Sequence, residues 1–359
     1  MSAKSFSESI MSRCISLAKL GAGNVSTNPM VGAVIVHNGR IIGEGYHRKY
    51  GEGHAEVNAV NSVKDPKLLP ESEIYVSLEP CAHFGKTPPC ADLIIEKGIK
   101  KVYVGCRDPF NQVDGKGIQK LRAAGVEVVV GVLEKECQEL NRRFFTSVNL
   151  RRPYVILKWA QSADGFIDKD CMPVRISNHQ TEILNHKWRS EEDAILVGYN
   201  TALRDNPSLT DRLWAGKNPL RVVLDRDLKL PKDLKMFDGA ARTVVFTGKE
   251  VEADLSGVTV VKIDFGCGDV AAQVLGALYQ MKVQSLIVEG GARTHQMFVD
   301  AGLWDEARIL MSPTMLGSGT RAADLRGGRV VDTQKIGDNF YEMMWYVPSG
   351  SSAGGSSEE

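Results

Sequence analysis

The chain has 359 residues, a length that favours two domains with a sizeable core each. Its 43% hydrophobic and 25% charged residues are globular proportions and argue against disorder. Lys+Arg and Asp+Glu both number 44, so the net charge is zero; no global field favours nucleic acid or an anionic membrane, and neither partner is expected.

In chain order, an amphipathic stretch from Phe6 to Leu20 predicts a helix. Strands follow at Val31 to Val36 and Ile41 to Tyr46, and Asn38-Gly39 between them is the strongest short hairpin signal. A helix opens near His54. Next come a strand Ile74 to Leu78, a helix Ala91 to Lys97, a strand Lys101 to Gly105, a helix Gly115 to Ala124, a strand Val126 to Val130 and one helix Glu134 to Phe145. Alternation of this kind predicts an α/β layered sheet. Arg151-Arg152-Pro153 interrupts it, because proline drives its predecessor out of the helical region. The expected domains are therefore residues 1–150 and 151–348, with a Gly/Ser-rich tail over 349–359 expected to be disordered. The second domain reads as strands near Tyr154 to Trp159, Ala194 to Val197, Leu220 to Leu224, Thr243 to Phe246, Val258 to Val261, Ser285 to Val288 and Ala307 to Met311. Helices near Gln180 to Ser190, Val270 to Met281 and Thr294 to Ala301 lie between them.

No apolar run approaches the roughly 18 residues that span a bilayer. Met1 to Phe6 lacks the apolar core of a secretory signal, and the seven scattered cysteines suit reduced thiols in a cytoplasmic enzyme, some of them metal ligands.

His54-Ala55-Glu56 opens one helix, and Pro80-Cys81 and Cys90 follow a strand. Three nitrogen or sulfur ligands, His54, Cys81 and Cys90, leave a fourth tetrahedral position for water, the pattern of a catalytic zinc. Zinc lowers the pKa of its water towards 7, and Glu56, two residues after a ligand, can shuttle a proton without binding the metal. Zinc nucleobase deaminases carry H-x-E with P-C-x-x-C; here eight residues separate the cysteines. Both cysteines are expected at helix N-termini, whose positive dipole end favours the thiolate that a metal needs. The competing reading is a structural site completed by His83, or cysteines that simply sit at helix ends.

Leu78-Glu79-Pro80 with the segment Cys81 to Cys90, and Asn28-Pro29-Met30 with Val31 to Val36, resemble the bifunctional riboflavin-biosynthesis deaminase/reductase family. So do Leu157-Lys158, Ser162-Ala163-Asp164-Gly165, the segment Asp205 to Thr210 and Val288-Glu289-Gly290-Gly291, so the resemblance covers everything except the tail. It implies a cytidine-deaminase-like domain followed by a dihydrofolate-reductase-like domain. The first would hydrolytically deaminate 2,5-diamino-6-ribosylamino-4(3H)-pyrimidinone 5′-phosphate. The second would reduce 5-amino-6-(5-phosphoribosylamino)uracil to its ribitylamino product with NADPH. The resemblance implies substrate contacts at Asn28, His47, His83 and Lys86 in the first domain, and at Arg189, Leu209, Arg212 and Glu289 in the second. It implies cofactor contacts at Gln161, Thr201, Asp205, Gly291, Ala292, Arg293, Thr294, His295, Gln296 and Met297. A homo-oligomer is expected.

Chemistry supports several of these positions. Lys86 lies on the loop between the cysteines and suits an anionic phosphate, the alternative being a solvated loop lysine. Glu289-Gly290-Gly291 after an apolar strand permits close approach to phosphate at a helix N-terminus. Gly266-Cys267-Gly268-Asp269-Val270-Ala271 has the dinucleotide-binding form, but Asp264 and Asp269 oppose an anion there; Asp269 reads as a helix N-cap. Lys158 and Glu289 are expected to assist opening of the ribose to an imine, a buried structural ion pair being the rival. Two departures from the family bear on how the nicotinamide is covered: Val174-Arg175 stands where the family usually has tryptophan ahead of Ile-Thr-Ser, and the loop Ile167 to Pro173 is short. Arg226 replaces a common Ser or Thr and is expected to read the 2′-phosphate of NADPH. A zinc deaminase joined to an inactive or differently specific reductase, and a zinc-stabilised nucleic-acid module, are the other readings; the neutral charge opposes the latter.

Overall fold

The computed structural model describes residues 4–82, 84, 88–109, 115–170, 172, 174–250 and 257–347. The chain divides into two compact units between Arg151 and Arg152.

The first unit runs α1 (Phe6–Ala18), β1 (Gly32–His37), β2 (Arg40–Tyr46), α2 (Ala55–Ser62), β3 (Glu73–Leu78), α3 (Cys90–Glu96), β4 (Lys101–Cys106), α4 (Lys116–Ala123), β5 (Glu127–Val130), α5 (Glu134–Leu140) and α6 (Arg142–Leu150). Its sheet has the order β2-β1-β3-β4-β5, with β1 antiparallel to both neighbours and β3, β4 and β5 parallel. The β1–β2 hairpin turns through Asn38 (φ 48°) and Gly39 (φ 72°), both left-handed as a type I′ turn requires. Alternate side chains divide the sheet: Ala33, Ile35, Ile74 and Val76 pack beneath α2, α3 and α4, while Val34, Val36 and Tyr75 pack against α1 and α5. The single helix expected over Glu134 to Phe145 is two helices. Asn141 breaks it, and its side-chain amide bonds Met30 twice, accepting from the backbone N–H (2.8 Å) and donating to the carbonyl (2.9 Å).

The second unit runs β6 (Tyr154–Gln161), α7 (His179–Glu191), β7 (Ala194–Gly198), α8 (Tyr199–Asp205), β8 (Leu220–Leu224), β9 (Thr243–Thr247), β10 (Val258–Lys262), α9 (Val270–Gln280), β11 (Ser285–Gly290), α10 (Ala292–Asp300), β12 (Glu306–Met311), β13 (Gly328–Ile336) and β14 (Asn339–Tyr346). The nine-stranded sheet has the order β10-β9-β8-β7-β11-β6-β12-β14-β13. It is parallel from β10 to β12, and the β13–β14 hairpin closes one edge antiparallel. Val155, Leu157, Leu286 and Val288 face a core with α9 and α10; Ile156, Ile195, Val197 and Ile287 face the opposite one with α7 and α8. The sequence reading contained neither α8 nor the hairpin. Asp269 does stand at the N-cap of α9, but its side chain makes no capping bond. The tail expected to be disordered lies outside the described residues.

Candidate active sites

In the first unit β3 delivers the segment Glu79-Pro80-Cys81 at its carboxyl end, and α2 and α3 begin beside it. His54 is the N-cap of α2, Cys90 the first residue of α3, and Cys81 lies outside any helix or strand, just after β3. The expectation that both cysteines start helices therefore holds only for Cys90. Nδ1 of His54 is 3.6 Å from Cys81 Sγ and 3.3 Å from Cys90 Sγ, and the three ligand atoms lie within 4.8 Å of one another. Two sulfurs and one imidazole nitrogen at this spacing are a donor set that zinc takes. Among the described residues no other group of three such side chains is assembled. A hydrogen bond from Cys90 holds the Cys81 thiol down, to about 4, and in turn pushes the Cys90 thiol up, so Cys81 is the member of the pair that readily gives the thiolate a metal requires.

Glu56 sits on the first turn of α2 with 3% exposure, and burial pushes its carboxyl up to about 7. His47, buried, presents its ring edge to His54 at 5.6 Å between centroids. Its Nδ1 lies 3.2 Å from the Gly53 carbonyl and its Nε2 lies 3.1 Å from Asn28 Nδ2. Those contacts assign the proton to Nδ1 and make Nε2 the acceptor; burial lowers the pKa, so the ring is neutral. Asn28, His47, His54, Glu56, Cys81 and Cys90 are thus brought together. His83 and Lys86 lie outside the described residues.

In the second unit a cavity of about 1000 Å³ opens at the carboxyl ends of β6, β7, β8 and β11, where open α/β sheets bind ligands. Of the residues expected there, Lys158, Thr201, Asp205, Arg226, Glu289 and Gly291 to His295 line it. Gly291 is the N-cap of α10 and offers no side chain, so the first amides of that helix face the cavity uncovered.

Lys158 (7% exposed) and Glu289 share the cavity wall, but the closest partner of Glu289 is Arg189, whose guanidinium grips both carboxylate oxygens at 3.0 and 2.6 Å. Burial works to raise the Glu289 carboxyl, yet Arg189 and Lys158 hold it down at about 2; burial lowers the Lys158 ammonium. Burial also drives His295 down to about 4, so its ring is neutral, with Nε2 2.9 Å from the Val288 carbonyl.

Several expected contacts lie elsewhere. Gln161 accepts from Trp159 Nε1 at 2.7 Å instead of lining the cavity. Gln296 bonds Asp300 and the Asp324 amide on the outer face of α10, and Met297 packs against the core under that helix. Leu209 is buried in the α7–α8 core at φ 52°. Arg212 is exposed; its backbone N–H donates to His186 Nδ1 (3.0 Å) and its side chain to Thr210 Oγ1 (3.2 Å). That bond sets Arg212 beside the face of α7 that carries Arg189. Sequence reasoning missed His186, whose signal is the i, i+3 spacing to Arg189, and the cavity residues Asp168, Tyr199, Asn200 and Lys229.

Residues 4–106 match the family model of the cytidine and deoxycytidylate deaminase zinc-binding region, and residues 153–338 match that of the RibD C-terminal domain. Together with the two sites, those matches define a class: a zinc-dependent deaminase carried on one chain with a reductase. "Riboflavin biosynthesis protein RibD" of Aquifex aeolicus is 40% identical over 330 residues, 91% of this chain and 92% of the relative. Its counterpart in Actinobacillus pleuropneumoniae is 41% identical over 330 residues, 89% and 86%. A crystal structure of a diaminohydroxyphosphoribosylaminopyrimidine deaminase/5-amino-6-(5-phosphoribosylamino)uracil reductase from Thermotoga maritima superposes with a TM-score of 0.87 at 38% identity, covering 95% of this chain and 99% of that one. The chain belongs to the RibD family: it is a bifunctional deaminase and NADPH-dependent reductase of riboflavin biosynthesis, and its deaminase unit is a zinc-binding one.

Proposed function

We propose the following assignment of residues to the two reactions. In the first unit the substrate is the diaminopyrimidinone ribosyl phosphate, and its ring amine is hydrolysed to ammonia. His54, Cys81 and Cys90 hold zinc, which when bound lowers the pKa of a water and so supplies the nucleophile at neutral pH. Glu56, buried beside the ligands, carries a proton to the ring nitrogen and then to the departing amine. Asn28 and the neutral His47 orient the pyrimidine, and His83 and Lys86 contact the rest of the substrate.

In the second unit NADPH supplies a hydride to the ribosyl carbon once the sugar ring is open. Lys158, raised on β6 in a buried setting that favours its neutral form, moves the proton that opening requires. Glu289, held as a carboxylate by Arg189, stabilises the positive charge that develops on the imine. The first amides of α10 receive cofactor phosphate, with Thr201 and Asp205 along the same wall. Arg226 reads the ribose 2′-phosphate. Its acidic neighbours are engaged elsewhere: Asp225 accepts from the amides of Lys229 and Leu230, and Asp227 faces Lys229 and Lys249. Among the described residues Arg226 itself has no ion pair. The enzyme works in the cytoplasm as a homo-oligomer on small molecules, with no nucleic acid or membrane partner. Among the described residues no helix is long and apolar enough to cross a membrane.

The observation that carries the first assignment is the convergence of His54, Cys81 and Cys90 beside a buried Glu56. Glu56→Gln should keep about one zinc per chain and lose roughly 10²–10⁴-fold in ammonia release, because an amide cannot carry the proton. Wild-type deamination by that variant would overturn the role.

A further inference from the structure

Glu79 is a carboxylate with 4% exposure at the end of β3, two residues before Cys81. It touches none of the three ligand atoms. Instead it accepts backbone N–H groups from a segment more than 25 residues away. Oε1 accepts from Gly117 (3.0 Å) and Ile118 (3.3 Å), and Oε2 from Gly115 (3.0 Å) and Asp108 (3.5 Å). Helix α4 has no cap of its own, because Gly115 occupies its N-cap position at φ 79°. A negative group at those first amides satisfies donors that the helix leaves open and meets the positive end of its dipole. Glu79 therefore caps α4 from a distance.

The approach is tight. A Cβ on Gly117 would overlap the Pro80 carbonyl oxygen, so the start of α4 lies directly against the turn that carries Cys81. From the other side α3 holds the same residue: the Cys90 amide donates to Cys81 Sγ (3.3 Å) and the Ala91 amide to the Cys81 carbonyl (3.1 Å). Cys81 is gripped between two helix starts, and the α4 side of the grip is the Glu79 carboxylate.

We propose that Glu79 is a positioning residue of the zinc site: by tying the first turn of α4 to the Glu79-Pro80-Cys81 segment it fixes the Cys81 ligand and sets how firmly the metal is retained. The inference rests on the assignment of zinc to His54, Cys81 and Cys90. Glutamine at this position presents one oxygen and one NH₂, so in either orientation two of the four N–H donors face another donor.

The test uses the full chain loaded with zinc. Zinc release to a chromophoric chelator is followed for wild type, Glu79→Gln and Glu79→Ala, with Val104→Ala as a core truncation in the same unit and NADPH oxidation by the same chains as an internal control. Loss of groups that orient metal ligands costs about 10- to 100-fold in metal affinity or activity. Glu79→Gln should release zinc at least about 10-fold faster than wild type and than Val104→Ala, with unchanged reductase activity, and excess zinc should restore its deaminase kcat. Release no faster than wild type, or no faster than Val104→Ala, overturns the proposal. If Glu79→Ala does not fold, Glu79→Gln decides alone. A wild-type chain that binds no zinc would overturn the metal assignment itself.

Discussion

Arg189→Met removes the partner of a buried carboxylate while keeping most of the volume of the side chain. Arg189 and Glu289 are 14% and 8% exposed at their side chains, so solvent screens the pair little. Burial works to raise the Glu289 carboxyl, yet Arg189 and Lys158 hold it at about 2 against an ordinary 4.5. Each tenfold gain in acidity corresponds to about 1.36 kcal/mol, so the net stabilisation of the carboxylate is on the order of 3 kcal/mol, with Arg189 its largest favourable source. Breaking a buried pair by removing one partner costs about 3–5 kcal/mol, which agrees. A carboxyl lowered in the folded state contributes stability that is fully present above its unfolded pKa and is lost as the pH falls through the folded one. The deficit of Arg189→Met should therefore be on the order of 3 kcal/mol at pH 7 and shrink as the pH falls through the acid range towards about 2, where the carboxyl of either chain becomes protonated. All five tryptophans, at 159, 188, 214, 304 and 345, lie in the second unit, so denaturant unfolding followed by tryptophan fluorescence reports on that unit alone. An unchanged midpoint at pH 7, or a deficit that does not vary with pH, would refute the reasoning.

Arg226 is exposed at the cavity rim, where a screened charge contact is worth about 1 kcal/mol, less than a buried guanidinium would give. Arg226→Ala should raise the NADPH dissociation constant about fivefold and leave NADH binding unchanged, as read by cofactor titration; equal effects on the two cofactors would exclude recognition of the 2′-phosphate. A Cβ at Gly290 would meet Thr201 Cγ2 at 2.7 Å and Oγ1 at 2.9 Å. Gly290→Ala should push that cavity residue aside, at a cost of about 1–3 kcal/mol, and weaken NADPH binding about tenfold while ammonia release by the first unit stays at the wild-type rate.

The zinc site was legible because its information is local and chemical: few residue types bind zinc, and His54, Glu56, Cys81 and Cys90 stand at the ends of elements whose hydrophobic pattern is plain. The Asn28–His47 contact and the Arg189–Glu289 grip were not legible as pairs, since their members are 19 and 100 residues apart and no periodicity links them. Helix α8 has seven residues, too few to show a helical repeat. The β13–β14 hairpin was missed because β13 is a sheet edge with mostly solvent-facing polar residues, such as Arg329, Asp332, Thr333, Gln334 and Lys335. Its signal was Gly337-Asp338 between Ile336 and Asn339, a two-residue turn of the kind recognised at Asn38-Gly39. Asn141 explains the split of the last helix of the first unit only once its partner Met30, 111 residues away, is known.

The central claim is that two separate sites on one chain act in sequence, the zinc-dependent one first. Its most direct test compares the native chain with the same chain stripped of zinc, each supplied with NADPH and either the diaminopyrimidinone phosphate or its deaminated product, while ammonia and nicotinamide absorbance are followed separately. The native chain should release one ammonia and oxidise one NADPH for each molecule of the amino substrate. The stripped chain should do neither with that substrate, yet oxidise NADPH at the native rate with the deaminated one. Ammonia release that survives zinc removal, or NADPH oxidation that fails with the deaminated substrate, would contradict the account.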